Sequence, residues 1–108
     1  MSVVSTFTYV VKSDAIAKNV ALIEKFKGWI KKRNDLFKGL KSYQVFVKFA
    51  GGKFGEFVEM VEFETLPELQ KAYSVVMADK EYMSVYWPEM IEIIIPGTFA
   101  MEIWNSVP

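Results

Sequence analysis

The chain has no cysteine and no histidine. The first absence removes disulfides, thiolate nucleophiles and cysteine-held metals. The second removes the commonest general base and the commonest metal ligand. Arg33 is the only arginine, so the planar fork that grips phosphate and carboxylate is scarce, and a phosphate-clamping enzyme is disfavoured. Neither sign of charge is in excess: 13 basic residues balance 13 acidic ones, which leaves no electrostatic footprint for nucleic acid or an anionic membrane. Purely apolar runs are short, as at Ile93-Ile94-Ile95, so no segment reads as a membrane span. Met1 to Ser5 carry neither a basic start nor a long apolar stretch, so no signal peptide is expected and a cytoplasmic location is the default. No metal and no cofactor is implied.

What the chain does have is core material. Of its 108 residues 52% are hydrophobic and 16% aromatic, enough for one folded domain spanning 1–108. Aromatic content of this order in so small a domain hints at surface covered by a partner subunit.

Periodicity orders the elements. Thr6 to Lys12 alternates as a strand. Ser13-Asp14 is an expected N-cap for a helix from Ala15 to about Phe37, with Ile16, Val20, Ile23, Phe26 and Ile30 on one face and Gly39 as its C-cap. Leu40 to Phe49 and Glu56 to Glu64 read as strands joined by the glycine-rich turn 50–55. That turn lacks both phosphate-loop spacings and joins strand to strand, so it reads as a hairpin. Thr65-Leu66-Pro67-Glu68 fits a capping box opening a second helix. Asp79 recaps a further helical stretch carrying Tyr82, Val85 and Tyr86, which Pro88 is expected to end or kink. Met90 to Ile95 fits either a helical end or a short extended segment. Pro96-Gly97 is a turn, and Thr98 to Trp104 the last strand.

The order βαββαβ predicts a ferredoxin-like α+β fold, a four-stranded antiparallel sheet with its helices on one face. The odd positions Phe7, Tyr9, Val11, Val45, Val47, Val61, Phe63, Phe99, Met101 and Ile103 form the expected helix-facing core. The even positions should be polar if that face meets water. They are mixed instead, with Val10, Phe46, Val58, Met60, Ala100 and Trp104 among Thr8, Gln44, Glu62 and Glu102. An open apolar face is unusual for a monomer. A homodimer packed sheet to sheet is therefore expected, with Val10, Phe46, Val58, Met60 and Trp104 as dimer-face candidates.

Two local pieces carry a family resemblance. One is Ile95-Pro96-Gly97-Thr98-Phe99-Ala100-Met101-Glu102-Ile103-Trp104, a Pro-Gly-Thr turn feeding a final strand. The other is Phe63-Glu64-Thr65-Leu66-Pro67-Glu68-Leu69, where a strand turns into the second helix. With the element order, they make the chain similar to the dimeric α/β-barrel superfamily. That group includes antibiotic-biosynthesis-type monooxygenases, muconolactone isomerase, haem-degrading monooxygenases and many uncharacterised small proteins. The resemblance implies a dimer that closes a barrel from two sheets, and an apolar pocket between sheet and helices. Several members rely on histidine; its absence excludes a His-ligated haem enzyme. Neither piece is a catalytic motif, so no catalytic residue is carried over.

Pocket candidates follow from side-chain chemistry. Trp29, Trp87 and Trp104, with Tyr9, Tyr73, Tyr82 and Tyr86, offer flat apolar bodies and a polar tip, although such residues more often simply fill cores and seams. Asp79, Glu81 and Glu89 are conceivable bases that ordinarily cap helices or face water, as Arg33 with Asp35 ordinarily forms a solvated face. Three functions stay open: a module binding a small apolar or aromatic ligand, a cofactor-independent oxygenase or isomerase acting on a phenolic or quinone-like substrate, and a purely structural dimer. An RNA-recognition domain is disfavoured, because Glu59, Glu62 and Glu64 occupy the third strand.

Overall fold

A computed structural model describes residues 2–107 of the chain. The elements run β1 (Val3–Val10), α1 (Ile16–Lys32), β2 (Leu40–Val47), β3 (Glu56–Phe63), α2 (Leu66–Met77), a π-helical segment (Tyr82–Tyr86), α3 (Trp87–Ile93) and β4 (Ala100–Asn105). The strands form one antiparallel sheet in the order β2-β3-β1-β4. This is the ferredoxin-like arrangement that the periodicity predicts. Both β1 and β3 are central, so their inward side chains lie at the heart of the core.

Helix boundaries differ from expectation for identifiable reasons. Ser13-Asp14 does not cap α1; Ala15 stands at that position, and no side chain bonds the free N–H groups. The chain is still tied into the sheet there: Val11 N donates to Gly55 O at 2.9 Å and Lys12 N to Ile93 O at 2.9 Å. The helix starts only after the turn that these bonds impose. At its other end α1 stops at Lys32, not near Phe37. Asn34 and Asp35 are poor helix formers, and the following turns bring Phe37 back onto Phe26 and Trp29 in edge-on contacts. Gly39, with φ +83°, serves the turn into β2 instead of capping α1; a side chain there would collide with the Glu68 carboxylate.

The hydroxyl half of the capping box forms. Thr65 Oγ1 accepts from Glu68 N at 3.3 Å and donates to Glu68 Oε1 at 3.0 Å. Pro88 neither ends nor breaks the helical path. It sits in the first turn of α3, directly after the π segment. The wider π turn makes room for a ring that an uninterrupted α-helix would crowd. Helix α3 runs to Ile93, and Ile94 then leaves it extended to form a bridge with Val11.

Two interior clusters fill the space between sheet and helices. The larger joins Tyr9, Val11, Phe57, Leu22, Ile23, Trp29, Tyr82, Tyr86 and Ile93; the smaller joins Val3, Phe63, Leu69 and Ala72. Where β2 meets β3 the register slips between Leu40 and Ser42. This bulge turns Leu40 to the same side as Tyr43, so it packs into the smaller cluster. One part of the expected core is not core in the single chain. Phe99, Met101 and Ile103 are 50%, 43% and 48% exposed, and Val47 is exposed as well. These residues lie on or next to the edge strands β4 and β2. In β4 every residue is exposed, on both faces. Val20 of α1, also expected in the core, is exposed; Leu22 and Asn19 are buried in its stead.

Candidate functional site

A cavity of about 150 Å³ lies between the sheet and the helices. Its walls are almost wholly apolar, with Phe7 and Phe99 from the β1–β4 side, Leu22, Ile23 and Phe26 from α1, Ala72 and Val76 from α2, and Met90 from α3. Strand alternation also aims one carboxylate inward. Phe57, Glu59, Val61 and Phe63 share the inner face of β3, and Glu59 lines the cavity. Opposite it in register stand Phe7 of β1 and Val45 of β2. The diagonal neighbours on that face are Tyr9 and Tyr43, which have the reach to meet it.

Both phenols converge on Glu59. Tyr9 Oη donates a short hydrogen bond to Oε2, and Tyr43 Oη donates to Oε1 at 2.6 Å. Asn19 Nδ2, on the buried face of α1, donates in turn to Tyr9 Oη at 3.1 Å. No lysine or arginine lines the cavity. Burial therefore lifts the Glu59 carboxyl above the ordinary glutamate range, against the pull of the two phenol hydrogen bonds. The same burial, reinforced by the Glu59 charge, pushes both Tyr9 and Tyr43 far above the ordinary tyrosine range. Tyr82 is pushed up to about 12, by burial first and then by Glu59. Its hydroxyl donates only to the thioether of Met90, at 3.7 Å.

A second polar group braces one side of this site. Asp79 accepts from Tyr82 N at 3.0 Å and from Arg33 Nη2 at 2.9 Å. These bonds hold its carboxyl below the usual range, the backbone N–H contributing first. Glu81 accepts from Trp29 Nε1 at 2.6 Å, and the Arg33 guanidinium lies 5.5 Å from the Trp29 ring. The clamp fixes the start of the π segment against α1, so Tyr82 and Tyr86 are held on the cavity wall. π turns inside helices occur often at functional sites.

Of the seven pocket candidates, Tyr9, Tyr73, Tyr82, Tyr86 and Trp87 line the cavity, although Tyr73 is half exposed at its rim. Trp29 and Trp104 do not line it. Trp29 is buried behind the wall, stacked on Phe26. Trp104 lies on the open face of the sheet, where it lines a shallow groove with Val4, Thr6, Thr8, Val58, Met60 and Glu102. Its Nε1 donates to Thr6 Oγ1 at 3.3 Å. Phe46 on that face is 52% exposed, whereas Val10 is only 7% exposed in the single chain and has little left to offer a partner.

Sequence reasoning missed Glu59, Tyr43 and Asn19 as site residues. The signal was present: Glu59 interrupts an otherwise apolar inner face at strict two-residue spacing. Asn19 stands between Ala15 and Ile23 at helical spacing, on the face that becomes buried. Among the described residues no group of three metal-ligating side chains occurs, and no helix is long and apolar enough to cross a membrane.

Neither a protein-family model nor a curated protein matches the sequence. Solved structures do match over nearly the full length. A NIPSNAP family protein from Agrobacterium tumefaciens str. C58 superposes with a TM-score of 0.77 at 14% identity, covering 99% of this chain and 94% of that one. A second NIPSNAP family protein from the same strain, described as of unknown function, gives a TM-score of 0.72 at 21% identity over 95% and 86% of the two chains. An antibiotic biosynthesis monooxygenase gives 0.67 at 16% identity over 98% and 99%. At such identities the likeness establishes the ferredoxin-like fold and leaves activity to the site itself.

Proposed function

We propose that the protein binds a small, largely apolar ligand in the cavity between sheet and helices, with Glu59 as the polar anchor. The observation that carries this reading is a single carboxyl group held by two phenols in an otherwise apolar cavity, with no basic partner. A carboxyl that serves only to fill a core is costly compared with an apolar side chain of similar volume. A volume of about 150 Å³ matches one six-membered ring, since an engineered protein cavity of that size takes up benzene. The test is a ligand-observed NMR screen of single-ring compounds, repeated on Val76→Trp, which fills the cavity. Binding that disappears in Val76→Trp supports the reading; binding unaffected by it, or no binding at all, refutes it.

The working unit is a homodimer that pairs the open sheet faces. Support comes from the apolar surface left bare by one chain: Phe46 and Trp104 on the open face, and Phe99, Met101 and Ile103 on the other side of the β4 edge. Monomers rarely leave that many large apolar side chains bare on one small domain. Sedimentation equilibrium tests it: two chains per particle at micromolar concentration is expected, and a monomer contradicts it.

A second reading, a cofactor-independent oxygenase or isomerase, has one observation in its favour. A buried carboxyl whose pKa is raised is a suitable base for a phenolic or enolisable substrate. Oxygen uptake with hydroxynaphthoquinone-type substrates, abolished by Glu59→Gln, is the outcome it requires.

A further inference from the structure

The hydrogen-bonding of the cavity assigns a chemical class to its occupant. We infer that the site is built for an organic ammonium ion, a primary amine on a single apolar ring, with the nitrogen against Glu59. This rests on the reading of the cavity as a ligand site.

The first ground is the count of donors and acceptors. A phenol has one proton to give. Tyr9 and Tyr43 give theirs to Glu59, and Tyr82 gives its own to the sulfur of Met90. Asn19 spends an N–H on Tyr9. What these hydroxyls leave facing a ligand is acceptors: the remaining lone pairs of the Glu59 carboxylate and the oxygens of Tyr43 and Tyr82. Next to Glu59 a neutral ketone or a carboxylate meets more acceptors than donors: the second N–H of Asn19 is left to it, and a carboxylate also meets the Glu59 charge. A primary ammonium brings three donors and no acceptor.

The second ground is charge. Glu59 has no cationic side chain beside it, so the site is completed by either a proton or a cation. The third is the wall. Phe26, Tyr82 and Tyr86 present aromatic rings to the cavity, and ring faces stabilise ammonium groups, more so when water is excluded. This offsets part of the cost of removing the ammonium from water, which a carboxylate alone does not always recover.

The experiment is isothermal titration of the intact protein near neutral pH with benzylamine, and with its uncharged counterpart benzyl alcohol. Benzylamine is expected to bind the wild-type protein at least tenfold more tightly. Glu59→Gln should remove that preference by weakening benzylamine tenfold or more while changing benzyl alcohol far less. Tyr82→Phe, which keeps the ring and removes an acceptor, should weaken benzylamine severalfold and serves as the test if Glu59→Gln does not fold. Equal affinity of the two compounds for wild type, or a preference that survives Glu59→Gln, overturns the amine assignment and leaves the cavity reading standing. If neither compound binds, both fall.

Discussion

Replacing Glu59 by Gln should stabilise the protein increasingly as pH rises. In the native chain burial raises the Glu59 pKa above the value of 4.5 that the side chain has when unfolded. Between those two values the native state holds a proton that the unfolded state has released. Stability then falls with rising pH, by at most about 1.4 kcal/mol per pH unit for one proton. Above the folded pKa the loss is complete and the curve levels. Glutamine has nearly the same shape, can accept from one phenol and donate to the oxygen of the other, and carries no proton to titrate. The stability difference, variant minus wild type, should therefore climb from about pH 4.5 upward and then plateau. Each kilocalorie should appear as a midpoint increase of roughly 4 to 8 °C in a domain of this size. Asp79, Glu56 and Glu62 have lowered pKa values, so their contributions are present above the ordinary carboxylate range and fade as pH falls. They are common to both proteins and cancel in the difference. Urea titrations from pH 4 to pH 8, on the order of one unit apart, supply the measurement. A difference that stays flat or falls with pH refutes the assignment of a desolvated carboxyl at this position.

Further outcomes follow from the same geometry. Tyr43→Phe removes the phenol that donates to Glu59 at 2.6 Å and should cost about 1.5–3 kcal/mol in urea unfolding above the Glu59 pKa, with a smaller loss below it. Trp29→Ala empties a position that is 4% exposed and frees Glu81 from its indole partner; a loss of about 3–5 kcal/mol is expected by the same assay. Thr65→Ala removes the cap of α2 and should cost about 1 kcal/mol, read as a lower thermal midpoint. The double change Phe46→Asp with Trp104→Asp places charge on the open face; sedimentation should then show a folded monomer where wild type is dimeric, while an unchanged dimer rules out this face as the seam.

The fold was legible because each element has its own periodicity and the joints are marked by residues with local chemistry. Thr65 and Glu68 announce α2 by hydrogen bonds that involve only neighbours. Boundaries set by distant contacts were not legible. The start of α1 depends on bonds from Val11 and Lys12 to Gly55 and Ile93, far along the chain. The exposure of Met101 and Ile103 depends on how far the helices extend across the sheet, which alternation in β4 cannot report. The site was half legible. Aromatic side chains at helical spacing led to Tyr82, Tyr86 and Trp87, all on the cavity wall. Glu59 was passed over because acidic residues crowd β3 and its end, at Glu56, Glu59, Glu62 and Glu64, and their number hides the one that faces inward. Parity decides otherwise: Glu59 shares its face with Phe57 and Phe63, both buried, whereas Glu62 bonds to Ser2 and Ser42 on the opposite side.

The charge state of one carboxyl group, that of Glu59, decides the chemistry of the site. Carbon-13 NMR of the Glu59 side-chain carboxyl, followed through a pH titration with and without benzylamine, reads it directly. The free protein should titrate above 4.5, and the amine should lower that midpoint by favouring the ionised form. A midpoint at or below 4.5 that does not respond to the amine contradicts it.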